Sequence, residues 1–303
     1  MGRELDKIAA VGMFDGVHCG HRAMLSDLSD EARRRGLKPM VVTFLRHPLE
    51  VVNPANAPKL LTTASERREM LERCFAGDVV MLDFDDALRR LTARDFMAML
   101  RDKYGVGVMY MGFNHRFGSD RLQDARQYHD IARGLGMDVV VGTESIAECG
   151  NVSSSRVRSM LENGDVEQAR VALGRCYSIA GRVVPGKRLG RKLGFPTANI
   201  EVGEKQKLVP AAGVYACRVT LVDGSNHASM VNIGCRPTVD DGDAVSVEAH
   251  IFDFSGDIYG EEVRLEFVKR LRDERRFDSI ESLTTQLHAD AVQARKALEQ
   301  KGM

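Results

Sequence analysis

The sequence predicts two domains: an α/β domain built on a mostly parallel sheet over residues 1–172, and a mainly antiparallel β domain with a closing helix over residues 173–303. Three observations predict them. Up to about residue 172, short apolar runs alternate with helical patterns, as in a parallel sheet covered on both faces. After Leu173-Gly174-Arg175 the β-rich runs follow one another without intervening helices. Near the end of the chain, apolar residues recur at spacings of three and four.

The first half reads as strands at 7–13, 39–44, 78–82, 106–111 and 137–142, with helices near 20–35, 64–76, 94–104 and 122–135. Ligands of such sheets bind beyond the carboxyl ends of the strands. The turn from Gly12 to His21, His47 and the loop 114–118 all fall there. In the second half, runs at 177–184, 213–222, 227–233, 245–254 and 263–269 are separated by Gly, Pro and Asp turns. Asp278 and Glu281 fit a capping box, and Ile280, Leu283, Leu287, Ala291, Ala294 and Leu298 then mark a helix that reads as packing and not chemistry.

Composition excludes several classes. Forty-three basic residues balance 43 acidic ones, leaving no excess positive charge to neutralise a nucleic-acid backbone. No run approaches a membrane-spanning length of about 18 apolar residues. The short charged N-terminus has no signal-peptide pattern, and cysteines at 19, 74, 149, 176, 217 and 235 are too scattered for a cross-linked framework. They read as reduced thiols of a cytoplasmic protein. Oligomeric state is left open.

Two segments carry chemistry. Residues 12–21 read Gly-Met-Phe-Asp-Gly-Val-His-Cys-Gly-His, where a first strand hands over to a helix. Gly12, Gly16 and Gly20 let the backbone approach a phosphate, and the helix points its first amides at the same place. His18 and His21 flank that point and can donate to a phosphoryl oxygen as its charge grows. Zinc ligation with Cys19 and a plain polar helix start are the competing readings, although no further C-x-x-C or H-E-x-x-H supplies more ligands. The second segment, 181–199, holds four glycines with Lys187, Arg188, Arg191 and Lys192. It nearly matches a P-loop, but Arg188 stands where Ser or Thr would hold magnesium, and Pro196 forbids a long helix. A phosphate cradle and a solvated surface loop both remain open, and Pro196-Thr197-Ala198-Asn199 alone reads as a turn and cap. In the run 245–254, alternation puts Val247, Ala249 and Ile251 on one face and Ser246, Glu248 and His250 on the other.

The segment Gly12 to His21 resembles the signature of the HxGH nucleotidyltransferases, and specifically the N-terminal half of bacterial bifunctional riboflavin kinase/FAD synthetases. The resemblance continues through Thr43-Phe44-Leu45-Arg46-His47-Pro48, Gly112 to Gly118, Val152 to Arg158, Leu173-Gly174-Arg175, Gly190 to Ile200 and Asn232 to Thr238 in the family's order. It implies a Rossmann-like nucleotidyltransferase domain followed by a β-barrel riboflavin kinase domain. Implied with it are riboflavin, FMN, FAD and ATP as substrates and products, Mg²⁺ as cofactor, and neither nucleic acid nor membrane as partner. In the first half it implies catalysis by His18, His21 and Arg158, ATP phosphates held by Gly12, Phe14, Asp15, Gly16, Gly20, Ser153, Ser154 and Ser155, and flavin held by Asn114, Arg116 and Phe117. In the second half it implies Gly186, Lys187, Arg188 and Arg191 around ATP, Thr197 and Asn199 on magnesium and phosphates, Glu248 as the base, and Arg272 and Phe277 on the flavin.

Two departures bear on the first half. Leu45-Arg46 stands where many family members carry an acidic residue and Pro, and Asn114-His115 where D-F is common. The competing functions are a riboflavin kinase with a weak or inactive adenylyltransferase domain, and a non-catalytic flavin- or nucleotide-binding regulator.

Overall fold

A computed structural model of the chain describes residues 4–112, 116–122, 124–142, 150, 152–186, 190, 194–236 and 244–299. Two compact units divide it, Met1–Ser154 and Ser155–Met303.

The first unit is a five-stranded parallel sheet in the order β3-β2-β1-β4-β5, formed by β1 (Lys7–Val11), β2 (Lys38–Phe44), β3 (Asp78–Leu82), β4 (Val106–Met111) and β5 (Asp138–Val141). Each strand coincides with an expected apolar run. The helices are α1 (Cys19–Arg35), α2 (Pro48–Val52), α3 (Ala64–Cys74), α4 (Asp86–Arg90), α5 (Ala93–Tyr104) and α6 (Ala125–Gly134). Alternation along β1 assigns the two faces. Ala9 and Val11 pack with Phe96, Met97 and Leu100 of α5 and Tyr128 of α6. Ile8 and Ala10 pack with Leu25, Leu28 and Ala32 of α1 and Leu71 of α3. Both faces of the sheet are therefore dry at its central strands β2, β1 and β4, which is why these read as continuous apolar runs. The five-residue helices α2 and α4 are too short to show a helical period; α2 exists because His47 caps it, Glu50 closes the capping box and Pro48 opens it.

The second unit opens with α7 (Ser154–Glu162) and α8 (Val166–Leu173). Ala211 N–H donates to the Leu161 carbonyl at 3.0 Å and Arg270 Nη1 to the Asn163 carbonyl at 3.2 Å, so both helices pack with the residues that follow and the unit begins well before residue 173. The strands β6 (Tyr177–Val184), β7 (Ala198–Val202), β8 (Gly213–Thr220), β9 (Asn226–Arg236), β10 (Ala244–Ile251) and β11 (Glu262–Arg272) close into a barrel ordered β10-β7-β6-β11-β8-β9. Strand β7 was not anticipated. The last helix, α9 (Ile280–Glu299), packs Ala294, Ala297 and Leu298 on Val214, Ala216, Met230 and Val268. Those strand residues face outward, and their alternates Tyr215, Val231, Ile233, Val247 and Ala249, all buried, fill the barrel. The cap of α9 lies one residue later than expected: Ser282 N–H donates to Ser279 Oγ at 3.1 Å and Ser279 N–H to Ser282 Oγ at 3.3 Å. Ile280 is left outside the packed face, 66% exposed.

Candidate active sites

In the first unit, the chain leaves β1 through a turn that no ordinary loop would adopt. Phe14, Gly16 and Val17 all take left-handed backbone angles, at φ 50°, 81° and 40°. For phenylalanine and a β-branched valine each such position costs roughly 1–3 kcal/mol, and it persists only where surrounding bonds over-determine it. They do. The buried Asp15 carboxylate accepts from Leu61 N–H at 3.0 Å and from the Thr62 N–H and hydroxyl at 2.9 and 3.0 Å. Gly16 N–H donates to Thr62 Oγ1 at 3.0 Å, Thr43 Oγ1 to the Met13 carbonyl at 3.0 Å, and Ser154 Oγ to the Asp15 carbonyl at 2.9 Å. Asp15 and Ser154, expected on the nucleotide phosphates, thus bind the chain itself and shape the loop. Asp15→Asn is expected to destabilise the fold by about 2 kcal/mol, because one buried N–H then faces an NH₂ group. Thermal unfolding of the variant beside the parent checks this.

The turn delivers two histidines to the start of α1. His18 is the N-cap, 5% exposed, and its Nδ1 accepts from His21 N–H at 3.3 Å, leaving Nε2 as its donor. The two rings stack with centroids 3.6 Å apart, and Phe14 tilts against His21 at 5.2 Å. A side chain at Gly20 would stand 3.3 Å from the His18 ring and 3.5 Å from the Val152 carbonyl, so glycine there lets the helix start pack closely on the His18 ring. His21 Nδ1 is buried without a hydrogen-bond partner among the described residues. Burial, reinforced by the neighbouring His18, holds the His21 pKa well below its usual 6.5, so the ring is neutral at pH 7. The unfolded chain takes up a proton at His21 as the pH falls through 6.5, whereas the fold resists it. Stability is therefore full above that pH and falls below it. The thermal midpoint is expected to drop between pH 7 and 5.5 by less in His21→Gln than in the parent; equal slopes would contradict the assignment.

Beside Gly12 and Met13 a cavity of about 800 Å³ opens between Phe44, Phe84, Phe96 and Phe117, with Arg116 and Arg121 also lining it. Phe117 is fixed by Tyr128, whose hydroxyl donates to its carbonyl at 2.7 Å and accepts from its N–H at 3.0 Å. The unusual Arg46 forms a double hydrogen bond with Asp83, at 2.8 and 2.9 Å, so its charge is compensated. Leu45 is 45% exposed. Asn114, Lys187, Arg188 and Arg191 lie outside the described residues. Ser153 and Ser155 are exposed, and Arg158 is buried on α7 in the second unit.

In the second unit, strand register builds the site. Asn199 on β7 pairs with Glu248 on β10, Glu248 with Asn232 on β9, Asn232 with Val214 on β8, and Val214 with Arg272 on β11. Directly paired antiparallel residues share a face. The five side chains therefore form one row across the outside of the barrel, on the face that α9 packs against. A side chain at Gly186 would come within 2.0 Å of Asn199 Nδ2, so Gly186 lets the chain cross directly over that amide. At one end of the row, Thr197 borders a cavity of about 440 Å³ with Val183, Ala249, Ile251 and Phe254. At the other, Arg272 donates from Nε and Nη2 to the Asp290 carboxylate of α9 at 2.8–3.1 Å, and from Nη1 to the Asp273 carbonyl at 2.9 Å. Three of its five N–H groups are thus engaged within the fold. Phe277 lies under the guanidinium groups of Arg272 and Arg275, at 5.6 and 4.7 Å. Buried Asp290 adds an ion pair to the packing of α9; the sequence signal for it was an acidic residue on an otherwise apolar helical face.

Among the described residues, no three His, Cys, Asp or Glu side chains are grouped to hold a metal ion, and no helix is long and apolar enough to cross a membrane.

An FAD synthetase family model matches residues 3–156, and a riboflavin kinase family model matches residues 173–298. A Pseudomonas fluorescens protein named bifunctional riboflavin kinase/FMN adenylyltransferase is 37% identical over 293 residues, covering 95% of this chain and 92% of the relative. The protein of the same name from Escherichia coli strain K12 is 36% identical over 291 residues, with the same coverage. The one from Bacillus subtilis strain 168 is 33% identical over 295 residues, covering 95% of this chain and 91% of the relative. A solved structure described as a macrolide-efflux protein from Streptococcus pneumoniae superposes with a TM-score of 0.85 at 32% identity, covering 96% of this chain and 94% of the other.

Proposed function

The chain belongs to the bifunctional riboflavin kinase/FMN adenylyltransferase family, and from that premise we infer that it makes FMN and then FAD, each at its own site. The kinase half transfers the γ-phosphoryl group of ATP to the 5′-hydroxyl of riboflavin. The FAD synthetase half joins FMN to the AMP moiety of a second ATP and releases pyrophosphate. The observation that carries this reading is that each matched segment holds its own site: the stacked His18–His21 pair at a helix start, and the Asn199–Glu248 pair on the barrel.

For adenylyl transfer, an FMN phosphate oxygen attacks the α-phosphorus while the bond to the β-phosphate bridging oxygen breaks. Positioning and charge stabilisation suffice for that chemistry. His18, His21 and the first amides of α1 converge where the phosphate charge grows. Neutral His21 is poised to gain a proton or a hydrogen bond as anionic substrate arrives. The aromatic cavity with its arginines suits a flavin ring carrying a phosphate. Arg158 is assigned to the ATP phosphates on its family resemblance. The Arg46–Asp83 pair keeps the departure at Leu45-Arg46 compatible with activity, since Phe44 and His47 on either side still line the cavity.

For phosphoryl transfer, Glu248 accepts the proton of the riboflavin 5′-hydroxyl as it attacks the γ-phosphorus, and ADP leaves. The cavity beside Thr197, where Val183, Ile251 and Phe254 meet the polar Ser255 and Asp257, suits the adenine. Thr197 and Asn199 offer a hydroxyl and an amide oxygen, a donor set that fits Mg²⁺, and the close crossing of Gly186 leaves the amide flanked by backbone. When bound, Mg²⁺ would neutralise the phosphate charge. A cytoplasmic location is supported by the thiols of Cys19, Cys74, Cys176 and Cys217, none of which forms a disulfide with a described residue.

Incubation with riboflavin, ATP and Mg²⁺, resolved by chromatography over time, is expected to give FMN first and FAD later, and FAD directly from FMN. Absence of FMN would sink the kinase reading, and absence of FAD from FMN the adenylyltransferase reading.

A further inference from the structure

Asn232 has an environment that asks for a ligand. It is half-buried on β9, paired with Glu248 on one side and Val214 on the other, and its carboxamide makes no hydrogen bond with any described residue. Two places along the strand on the same face are Met230, packed in the apolar cluster with α9, and Gly234, over which the Glu274 carboxylate lies. A half-buried carboxamide left without a hydrogen bond is costly until something bonds to it.

The order of the row supplies the partner. Antiparallel partners hold their Cβ atoms about 4.5–5.5 Å apart, so Asn199, Glu248 and Asn232 stand side by side, followed by apolar Val214 and then Arg272 with Phe277. If the phosphates lie at Thr197 and Asn199 and the attacking hydroxyl at Glu248, the rest of riboflavin runs away from the phosphates, across Asn232. Its ring then rests beyond, near Val214 and Phe277. The part of the substrate that crosses Asn232 is the ribityl chain, a run of hydroxyls that both donate and accept, as a carboxamide does.

We propose that Asn232 is a substrate-binding residue of the kinase site, whose carboxamide hydrogen-bonds the ribityl hydroxyls and sets the terminal one against Glu248. This rests on the kinase reading above. The test follows FMN formation by the full chain with riboflavin as substrate and lumiflavin, which has the ring but a methyl group in place of ribityl, as competitive inhibitor. Asn232→Ala is expected to raise the riboflavin KM about tenfold and to lower kcat, with the lumiflavin Ki unchanged within about twofold; tenfold corresponds to 1.4 kcal/mol, about one or two hydrogen bonds. Asn232→Ser, which keeps a hydroxyl donor and acceptor, is expected to recover part of the loss, and it carries the same comparison if Asn232→Ala fails to fold. Unchanged riboflavin constants overturn the proposal. So does a parallel rise of the riboflavin KM and the lumiflavin Ki, which would mean damage to the ring site or the barrel. A parent enzyme that forms no FMN would instead overturn the kinase reading itself.

Discussion

Glu248→Gln is expected to lower riboflavin phosphorylation by about 10²- to 10⁴-fold, the usual worth of a positioned general base. FAD formation from FMN should continue at the parent rate. Gln preserves the size and the outward direction of Glu248 between Asn199 and Asn232, so the loss would be one of proton acceptance and not of packing. Backbone pairing on both sides holds the strand whatever the side chain. Steady-state rates of FMN and FAD formation, measured separately on one preparation, decide it. A loss under tenfold would remove Glu248 from the role of base.

His21→Asn is expected to show the reciprocal pattern, with FAD formation from FMN reduced by about 10²- to 10³-fold, as for other single donors at a developing oxyanion, and FMN formation unaffected. The substitution leaves the backbone N–H that His18 Nδ1 accepts, so the cap of α1 survives. What disappears is the ring that stacks on His18 at 3.6 Å. Were the pair only a helix start, the variant would lose stability and not turnover. Equal rates in variant and parent would establish that bland role.

The sequence made the parallel sheet legible because its three central strands are buried on both faces and stand out as continuous apolar runs, as in Ile8 to Val11. The turn that carries the histidines was legible too, since glycines break an apolar run there and a helical pattern follows. Its strain was not. That Phe14 and Val17 would take left-handed angles depends on Asp15 reaching Leu61 and Thr62, some 46 residues away in the chain, and such long-range bonds leave no periodic trace. For the same reason the anchoring bonds of Asp15 were not visible in the sequence. Strand β7 was missed because Pro196 and the nearby glycines read as a turn, and the strand itself is only five residues long, Ala198–Val202. Without that strand, Asn199 and Glu248 are two isolated polar residues; with it, their register makes them neighbours. Arg272 was recognisable as a residue of the site, but its commitment to Asp290 needed the packing of α9 to be seen. The division of the chain before α7 was equally hidden, because the carbonyls of Leu161 and Asn163 are held by Ala211 and Arg270 from far along the sequence.

The central claim is that two chemically separate sites act in succession on one chain. Its most direct test mixes the Glu248→Gln and His21→Asn variants in equal amounts with riboflavin, ATP and Mg²⁺ and follows FAD. Neither variant alone should make FAD from riboflavin at an appreciable rate, whereas the mixture should restore it after a lag in which FMN released by one protein reaches the other. A mixture that accumulates FMN without FAD, or that makes neither product, would contradict the account.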